Sequence, residues 1–225
     1  MQKYVIIVAG GKGSRMGTSI PKQFLLLQQK PVLMHTLEQF HQTLPEAKII
    51  LVLPEKEQQQ WLQLCQEYSF SIPHTTTNGG AERFHSVYNG LQQIGQEGIV
   101  AIHDGVRPFV AADVIKEAFR VAAKKNNAIV AVPLKDSIRS VSPTGNKAED
   151  RGAYRLIQTP QVFDVSLLKE AYNTPYQSFF TDDASVFEYQ GHSIELVEGN
   201  YENIKLTTPE DLLFGEAILS NSSST

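Results

Sequence analysis

Residues 4–17 read YVIIVAGGKGSRMG, and this stretch decides the fold. The run Tyr4–Ala9 is apolar and rich in β-branched residues, which marks a strand buried on both faces. It passes directly into Ala9, Gly10, Gly11, Lys12, Gly13, Ser14, Arg15, Met16 and Gly17. Glycines let a backbone come close to a ligand and aim successive N–H groups at phosphate oxygens. Arg15, and then Lys22 within Pro21-Lys22-Gln23-Phe24-Leu25, add fixed positive charge on the same strand-exit loop, which suits a triphosphate. A dinucleotide fingerprint would need the glycines to open a helix at once, and Pro21 falls where that helix should continue. A Walker A loop is excluded, because no Gly-Lys-Ser/Thr follows at the required spacing. Taken alone, the loop leaves an ordinary glycine-rich turn with solvated cations open.

Working outward, strand-like and helix-like segments alternate. Lys48–Leu53, Ile99–His103 and Ala128–Pro133 repeat the buried-strand pattern. Pro31–Gln42, Glu55–Tyr68, Ser86–Ile94 and Asp113–Lys125 carry apolar residues at helical spacing. This predicts an α/β fold, a mainly parallel sheet with helices on both faces, binding its ligand beyond the carboxyl ends of its strands. The alternation breaks at Asp136–Gln158. There Ser137–Val141 and Tyr154–Gln158 read as two strands with a polar segment between them and no helix. We read residues 136–158 as a β-arm leaving a single domain that spans residues 1–225. Its apolar positions need cover from a second subunit. Helices are predicted at Val165–Tyr172, Asp182–Tyr189 and Pro209–Leu219, and late strands at Ser193–Glu198 and Asn203–Leu206.

The 225 residues are 41% hydrophobic and 20% charged, with a formal net charge of −4. That composition supports a core, and without a basic excess it excludes a general nucleic-acid binder. The opening apolar run is too short for a membrane span, and the single cysteine, Cys65, forms no intrachain disulfide. The expectation is a cytoplasmic protein with no membrane or nucleic-acid partner.

Three further groups bear on chemistry. Asn78-Gly79-Gly80-Ala81-Glu82-Arg83-Phe84-His85-Ser86 lies between a strand and a helix, with Arg83 and Ser86 on one face. His103-Asp104-Gly105-Val106-Arg107-Pro108 ends the strand Ile99–His103. Asp104 there suits a divalent cation or sugar hydroxyls, or Arg107 pairs with it as a structural bridge. His103 reads as a packed strand residue. The late group holds Arg151, Thr159-Pro160-Gln161, Thr181-Asp182-Asp183 and Asn203–Asp211, in which Lys205 sits in an otherwise apolar segment. A buried ammonium there would call for an anionic ligand, and a surface lysine is the other reading.

Taken together, AGGKGSRMG…PKQF, GGAERFHSV, HDGVRPF, TPQVF, TDDAS and NIKLTTPEDL run in order from residue 9 to residue 211. In this the chain resembles the 2-C-methyl-D-erythritol 4-phosphate cytidylyltransferases. The ribitol-5-phosphate cytidylyltransferases share the PKQF-like and HDxVRPF-like segments. TDDASVFE and the Glu-Asp pair of NIKLTTPEDL favour the former, while Ser137 stands where that family has threonine. The resemblance implies a Rossmann-like nucleotidyltransferase fold that takes CTP and a small polyol phosphate and uses Mg²⁺, held mainly by the CTP phosphates and near Asp104. It implies that Arg15, Lys22, Asp104 and Lys205 are catalytic. Ala9, Gly10, Gly11, Gly13, Gly80, Ala81, Arg83, Ser86, Asp104 and Gly105 would bind the nucleotide. Arg107, Ser137, Arg151, Thr181 and Lys205 would bind the acceptor. It also implies a homodimer through the β-arm, with Arg151 reaching the partner's site. An NAD(P)-binding oxidoreductase and a non-catalytic nucleotide-binding module are the remaining readings.

Overall fold

The computed structural model of the chain describes residues 1–11 and 20–222. Strand β1 (Lys3–Val8) is followed, after a 3-10 turn at Lys22–Phe24, by the short strands β2 (Leu26–Leu27) and β3 (Lys30–Pro31). Then come α1 (Val32–Thr43), β4 (Lys48–Leu53), α2 (Glu55–Glu67), β5 (Thr75–Asn78), α3 (Arg83–Leu91), β6 (Ile99–Asp104), α4 (Ala112–Lys125) and β7 (Asn127–Pro133). A hairpin of β8 (Ile138–Ser142) and β9 (Gly145–Glu149) precedes β10 (Arg155–Asp164), α5 (Val165–Ala171), α6 (Asp183–Tyr189), β11 (Leu196–Glu198) and α7 (Pro209–Ser222).

The main sheet has seven strands in the order β11-β7-β10-β6-β1-β4-β5. Its pairs are parallel except those of β10, which runs antiparallel to both β6 and β7. The two-residue period of a strand sends alternate side chains to opposite faces. Along β1, Val5 and Ile7 therefore pack beneath α1, α2 and α4 with Leu37, Phe40, Trp61 and Phe119. Ile6 packs beneath α3, α5 and α6 with Val87, Leu91, Leu168 and Phe187. Both faces are covered, which is why β1, β4 and β6 are apolar almost throughout.

Two expectations are corrected. Tyr154–Gln158 does not belong to the arm: Arg155–Ile157 pair with Pro133–Ala131 of β7, inside the main sheet. The arm is instead the hairpin β8–β9, registered from Ile138 opposite Glu149 to Ser142 opposite Gly145. It turns through Pro143 and Thr144 into Gly145, whose φ of 148° suits glycine. The second correction is Asn203–Leu206, which is not a strand. This extended segment is tied down by Leu206 N–H to the Val106 carbonyl at 2.9 Å and by Arg107 to the Asn203 carbonyl at 2.8 Å.

Candidate active site

The carboxyl ends of β1, β4 and β6 open into one cleft of about 410 Å³. Past its last residue, β1 continues between its neighbours. Ala9 N–H donates to Val52 O at 2.9 Å and Gly105 N–H to Val8 O at 2.9 Å. These bonds hold Ala9, Gly10 and Gly11 at the mouth of the cleft. A Cβ at Gly105 would lie 2.8 Å from the Ala9 Cβ, so only glycine lets β6 pass so close behind this turn. Gly105 supports the floor without lining it.

The opposite rim is the lead-in to α3. Gly79 N–H donates to Leu53 O at 2.8 Å, continuing the β4–β5 pairing into the loop. Ser86 Oγ then accepts from Gly80 N–H at 3.0 Å and donates to the Glu82 carbonyl at 3.2 Å. One hydroxyl thus shapes Gly80–Glu82. A side chain at Gly80 would collide with the His85 Cβ.

Lys22 closes the third side. Its 3-10 turn is anchored by Phe24, which stacks on Trp61 at 6.1 Å, and by Gln23, whose Nε2 donates to Glu57 Oε2 at 2.6 Å. Burial raises the Glu57 carboxyl, while Lys56 and Gln23 counter it. The Lys22 side chain runs over Gly11, where a Cβ would meet its Cε at 3.1 Å.

At the centre is Asp104, the last residue of β6. Lys205 Nζ lies 3.0 Å and Arg107 Nε 3.2 Å from its Oδ2, and Arg83 Nε lies 3.7 Å from its Oδ1. Burial alone would raise this carboxyl. The three cations Lys205, Arg83 and Arg107 overcome that and hold it well below the ordinary carboxylate value. Of these three positive groups, Arg83 and Lys205 line the cleft. Arg83 is itself gripped by Asp183, through bonds of 2.9 and 2.7 Å to its two oxygens. Tyr172 adds its hydroxyl to Asp183 Oδ1 at 2.6 Å. Burial opposes the charge of Arg83, but Asp183 and Asp104 hold its pKa above the usual arginine value. Asp183 is placed by the Asp182 capping box that starts α6.

The structure brings together Ala9, Gly10, Gly11, Lys22, Gly80, Ala81, Arg83, Ser86, Asp104 and Lys205 on the walls of this cleft. Gly13 and Arg15 lie outside the described residues. Arg107 stands behind Asp104 as the bridge its spacing allowed, and donates to Asn203. Ser137, Arg151 and Thr181 are exposed and do not line the cleft within this chain. Arg151 donates to the Lys135 carbonyl at the base of the arm. His103 is a fully buried strand residue, with its ring pushed down to about 4 by burial, against the opposing bond to the Arg107 carbonyl. Gln23 and Glu82 also line the cleft, and Asp183 orients Arg83, though the sequence pattern singled out none of them for a role. Among the described residues, no group of three or more His, Cys, Asp or Glu is placed to hold a metal, and no helix is long and apolar enough to cross a membrane.

With this geometry in hand, the chain was compared with known proteins. Residues 3–221 match the family profile described as 2-C-methyl-D-erythritol 4-phosphate cytidylyltransferase. A protein of that name from Bacteroides thetaiotaomicron is 51% identical over 219 residues, covering 97% of this chain and all of the relative. The crystal structure of a 4-diphosphocytidyl-2C-methyl-D-erythritol synthase from Anaerococcus prevotii superposes with a TM-score of 0.83 at 27% identity, covering 97% of this chain and 96% of that one. That of the Francisella tularensis 2-C-methyl-D-erythritol 4-phosphate cytidylyltransferase gives 0.80 at 31% identity, covering 96% and 99%.

Proposed function

The chain belongs to the 2-C-methyl-D-erythritol 4-phosphate cytidylyltransferase family, and from that premise we propose that the cleft around Asp104 is its active site. The enzyme transfers CMP from CTP to 2-C-methyl-D-erythritol 4-phosphate, giving 4-diphosphocytidyl-2-C-methyl-D-erythritol and pyrophosphate. The observation that carries the placement is the convergence of Lys22, Arg83 and Lys205 on one cleft at the ends of β1 and β6.

The nucleophile is a phosphate oxygen of the acceptor, already anionic near neutral pH, so no general base is needed. It forms a bond to the α-phosphorus of CTP as the bond to the bridging oxygen of the β-phosphate breaks, and that electron pair leaves on pyrophosphate. The barrier is the approach of one anion to another, and catalysis rests on charge neutralisation and in-line alignment. Lys22, on the wall of the cleft, faces the triphosphate, and the family resemblance assigns Arg15 the same role. Lys205, held by Asp104, faces the acceptor side. The backbone at Gly10, Gly80 and Ala81 reads the cytosine, with Ser86 fixing that rim.

Lys205 and Arg107 take Asp104 Oδ2, while at Oδ1 Arg83 Nε stands off at 3.7 Å, which fits a Mg²⁺ ion shared between one carboxylate oxygen and substrate phosphates. Asp104 is the carboxylate that would hold it, and the ion would supply neutralisation of charge on the phosphates. The lone Cys65 accords with a reducing compartment, and we place the enzyme in the cytoplasm.

Two outcomes test the substrate reading. Pyrophosphate release with Mg²⁺ and 2-C-methyl-D-erythritol 4-phosphate should favour CTP over ATP by more than about tenfold, because one misfitted group in a shaped pocket costs at least that much. Ribitol 5-phosphate should turn over far more slowly than the methylerythritol acceptor under the same conditions. Equal rates with ATP would remove the assignment of the rim at Gly80 to cytosine.

The arm belongs to this proposal. Val141 is 82% exposed, and at the arm's base Leu156 and Ile157 are 52% and 42% exposed, on the part of β10 that pairs with β7 but not with β6. Packing against the same element of a second subunit would cover these residues around a two-fold axis. It would also carry Arg151 toward the neighbour's cleft, where a guanidinium binds a phosphate in a bidentate way. Mixed dimers of inactive Arg151→Ala and inactive Lys22→Ala subunits should then regain activity, because one of their two sites has both residues. Subunit exchange is verified with two affinity tags. Exchange without recovered turnover would assign Arg151 to its own subunit or to no site.

A further inference from the structure

We propose that His103 is a positioning residue for the reaction: its imidazole closes a buried hydrogen-bond ring that sets Asp104, and through it Lys205. The roles of Asp104 and Lys205 are those of the proposed site; the ring itself is read from geometry. Asp104 N–H donates to Thr159 Oγ1 at 3.1 Å. Having accepted there, the Thr159 hydroxyl has its proton free to donate to His103 Nδ1 at 3.1 Å. Nδ1 is then an acceptor, so the ring proton sits on Nε2, which donates to the Arg107 carbonyl at 2.9 Å. Arg107 Nε returns to Asp104 Oδ2 at 3.2 Å and closes the ring. Each step uses one donor and one acceptor, so a single imidazole tautomer satisfies the circuit.

The ring joins three parts of the fold that do not adjoin in sequence. His103 and Thr159 lie 56 residues apart, on β6 and β10. A branch adds a third part: Arg107 NH1 donates to the Asn203 carbonyl, and Asn203 Nδ2 donates back to the Thr159 carbonyl at 2.8 Å. Lys205 is two residues beyond Asn203 and reaches Asp104 from there. His103, Thr159 and Asn203 are all buried, and the Phe40 ring lies edge-on to the imidazole at 4.7 Å. Water has no ready route to replace a missing partner. Loss of the imidazole leaves the Thr159 hydroxyl proton without its acceptor and the Arg107 carbonyl without its ring donor, and the turn His103–Arg107 is free to shift. A displacement of about 1 Å at a charged group that aligns phosphates costs on the order of 10²-fold in rate.

The test is a set of variants assayed for kcat and for KM of CTP, with melting followed separately. His103→Leu and Thr159→Val cut the ring at the same bond from either side. Each should lower kcat by at least about tenfold while KM for CTP stays within about threefold, the pattern of a lost transition-state contact. Thr159→Ser keeps the hydroxyl and should stay within about threefold of the parent kcat. The double variant should lose less than the product of the two single losses, because each single variant already breaks the bond they share. Wild-type kcat in folded Thr159→Val, losses that multiply in the double variant, or an effect confined to KM would each overturn the proposal. If His103→Leu does not fold, the contrast between Thr159→Val and Thr159→Ser decides it alone: equal rates for the two overturn it.

Discussion

Lys22→Ala should lower turnover by about 10²–10³-fold while CTP binding weakens much less. The side chain crosses Gly11 at the mouth of the cleft, on a turn clamped by Phe24 against Trp61 and by Gln23 against Glu57. A cation fixed in this way gains little when a triphosphate docks, since the neighbouring backbone amides bind it too. It gains most as charge moves onto the departing pyrophosphate, and such a group appears in kcat more than in KM. Lys22→Arg should also be impaired, because a planar fork does not take the place of a compact ammonium against Gly11. Steady-state kinetics with varied CTP, together with calorimetric CTP binding to each variant, separates the two terms. Turnover of Lys22→Ala near that of the parent would take Lys22 out of the chemistry.

The second large effect is on stability. Asp183 has no exposed surface, and its oxygens take two bonds from Arg83 and one from Tyr172. Asp183→Ala should cost about 1–3 kcal/mol, because it leaves the buried Tyr172 hydroxyl without its acceptor while Arg83 keeps Asp104 as a partner. Urea unfolding followed by circular dichroism measures it. Replacing the cluster together, as Arg83→Met with Asp183→Leu and Tyr172→Phe, should recover much of that loss, because apolar partners carry no desolvation cost and leave no buried hydroxyl unpaired. It should not recover turnover, since Arg83 also lies 3.7 Å from Asp104. A loss below about 1 kcal/mol for Asp183→Ala would show that Arg83 has solvent enough to do without it.

The strands that frame the cleft were legible because each is buried on both faces and written in a plain apolar code. Lys48–Leu53 matches β4 to the residue, and Tyr4–Ala9 is β1 shifted by one position. The cleft followed from the same reading, since the glycine loops and Asp104 are strand exits at one edge of the sheet. The arm was misread for a physical reason. Ser137–Val141 is β8 shifted by one position, but its partner β9 faces water along nearly its whole length, so no alternation betrays it, while Tyr154–Gln158 looks like half of a ribbon although it spans the start of a ten-residue strand. Asn203–Leu206 alternates like a strand, yet side-chain and loop bonds rather than a ladder fix it. Partnerships across long separations were equally invisible. Nothing local to Arg83 announces Asp183, 100 residues away, and nothing local to His103 announces Thr159.

The antiparallel placement of β10 also bears on the order in which this protein can assemble on the ribosome. β5, β4, β1 and β6 are contiguous in the sheet and complete by residue 104, and their helices α1, α2 and α3 are made by then. That half can close on itself early. β7 cannot join it, because both of its neighbours, β10 and β11, are synthesised later. The segment NAIVAVP, buried along nearly its whole length in the finished protein, therefore emerges with two unpaired edges and waits for residues 155–164. In that interval it is the part of the nascent chain most open to pairing with another molecule. The cleft, which has Lys205 in its wall, is completed only after β10 and β11 have been made.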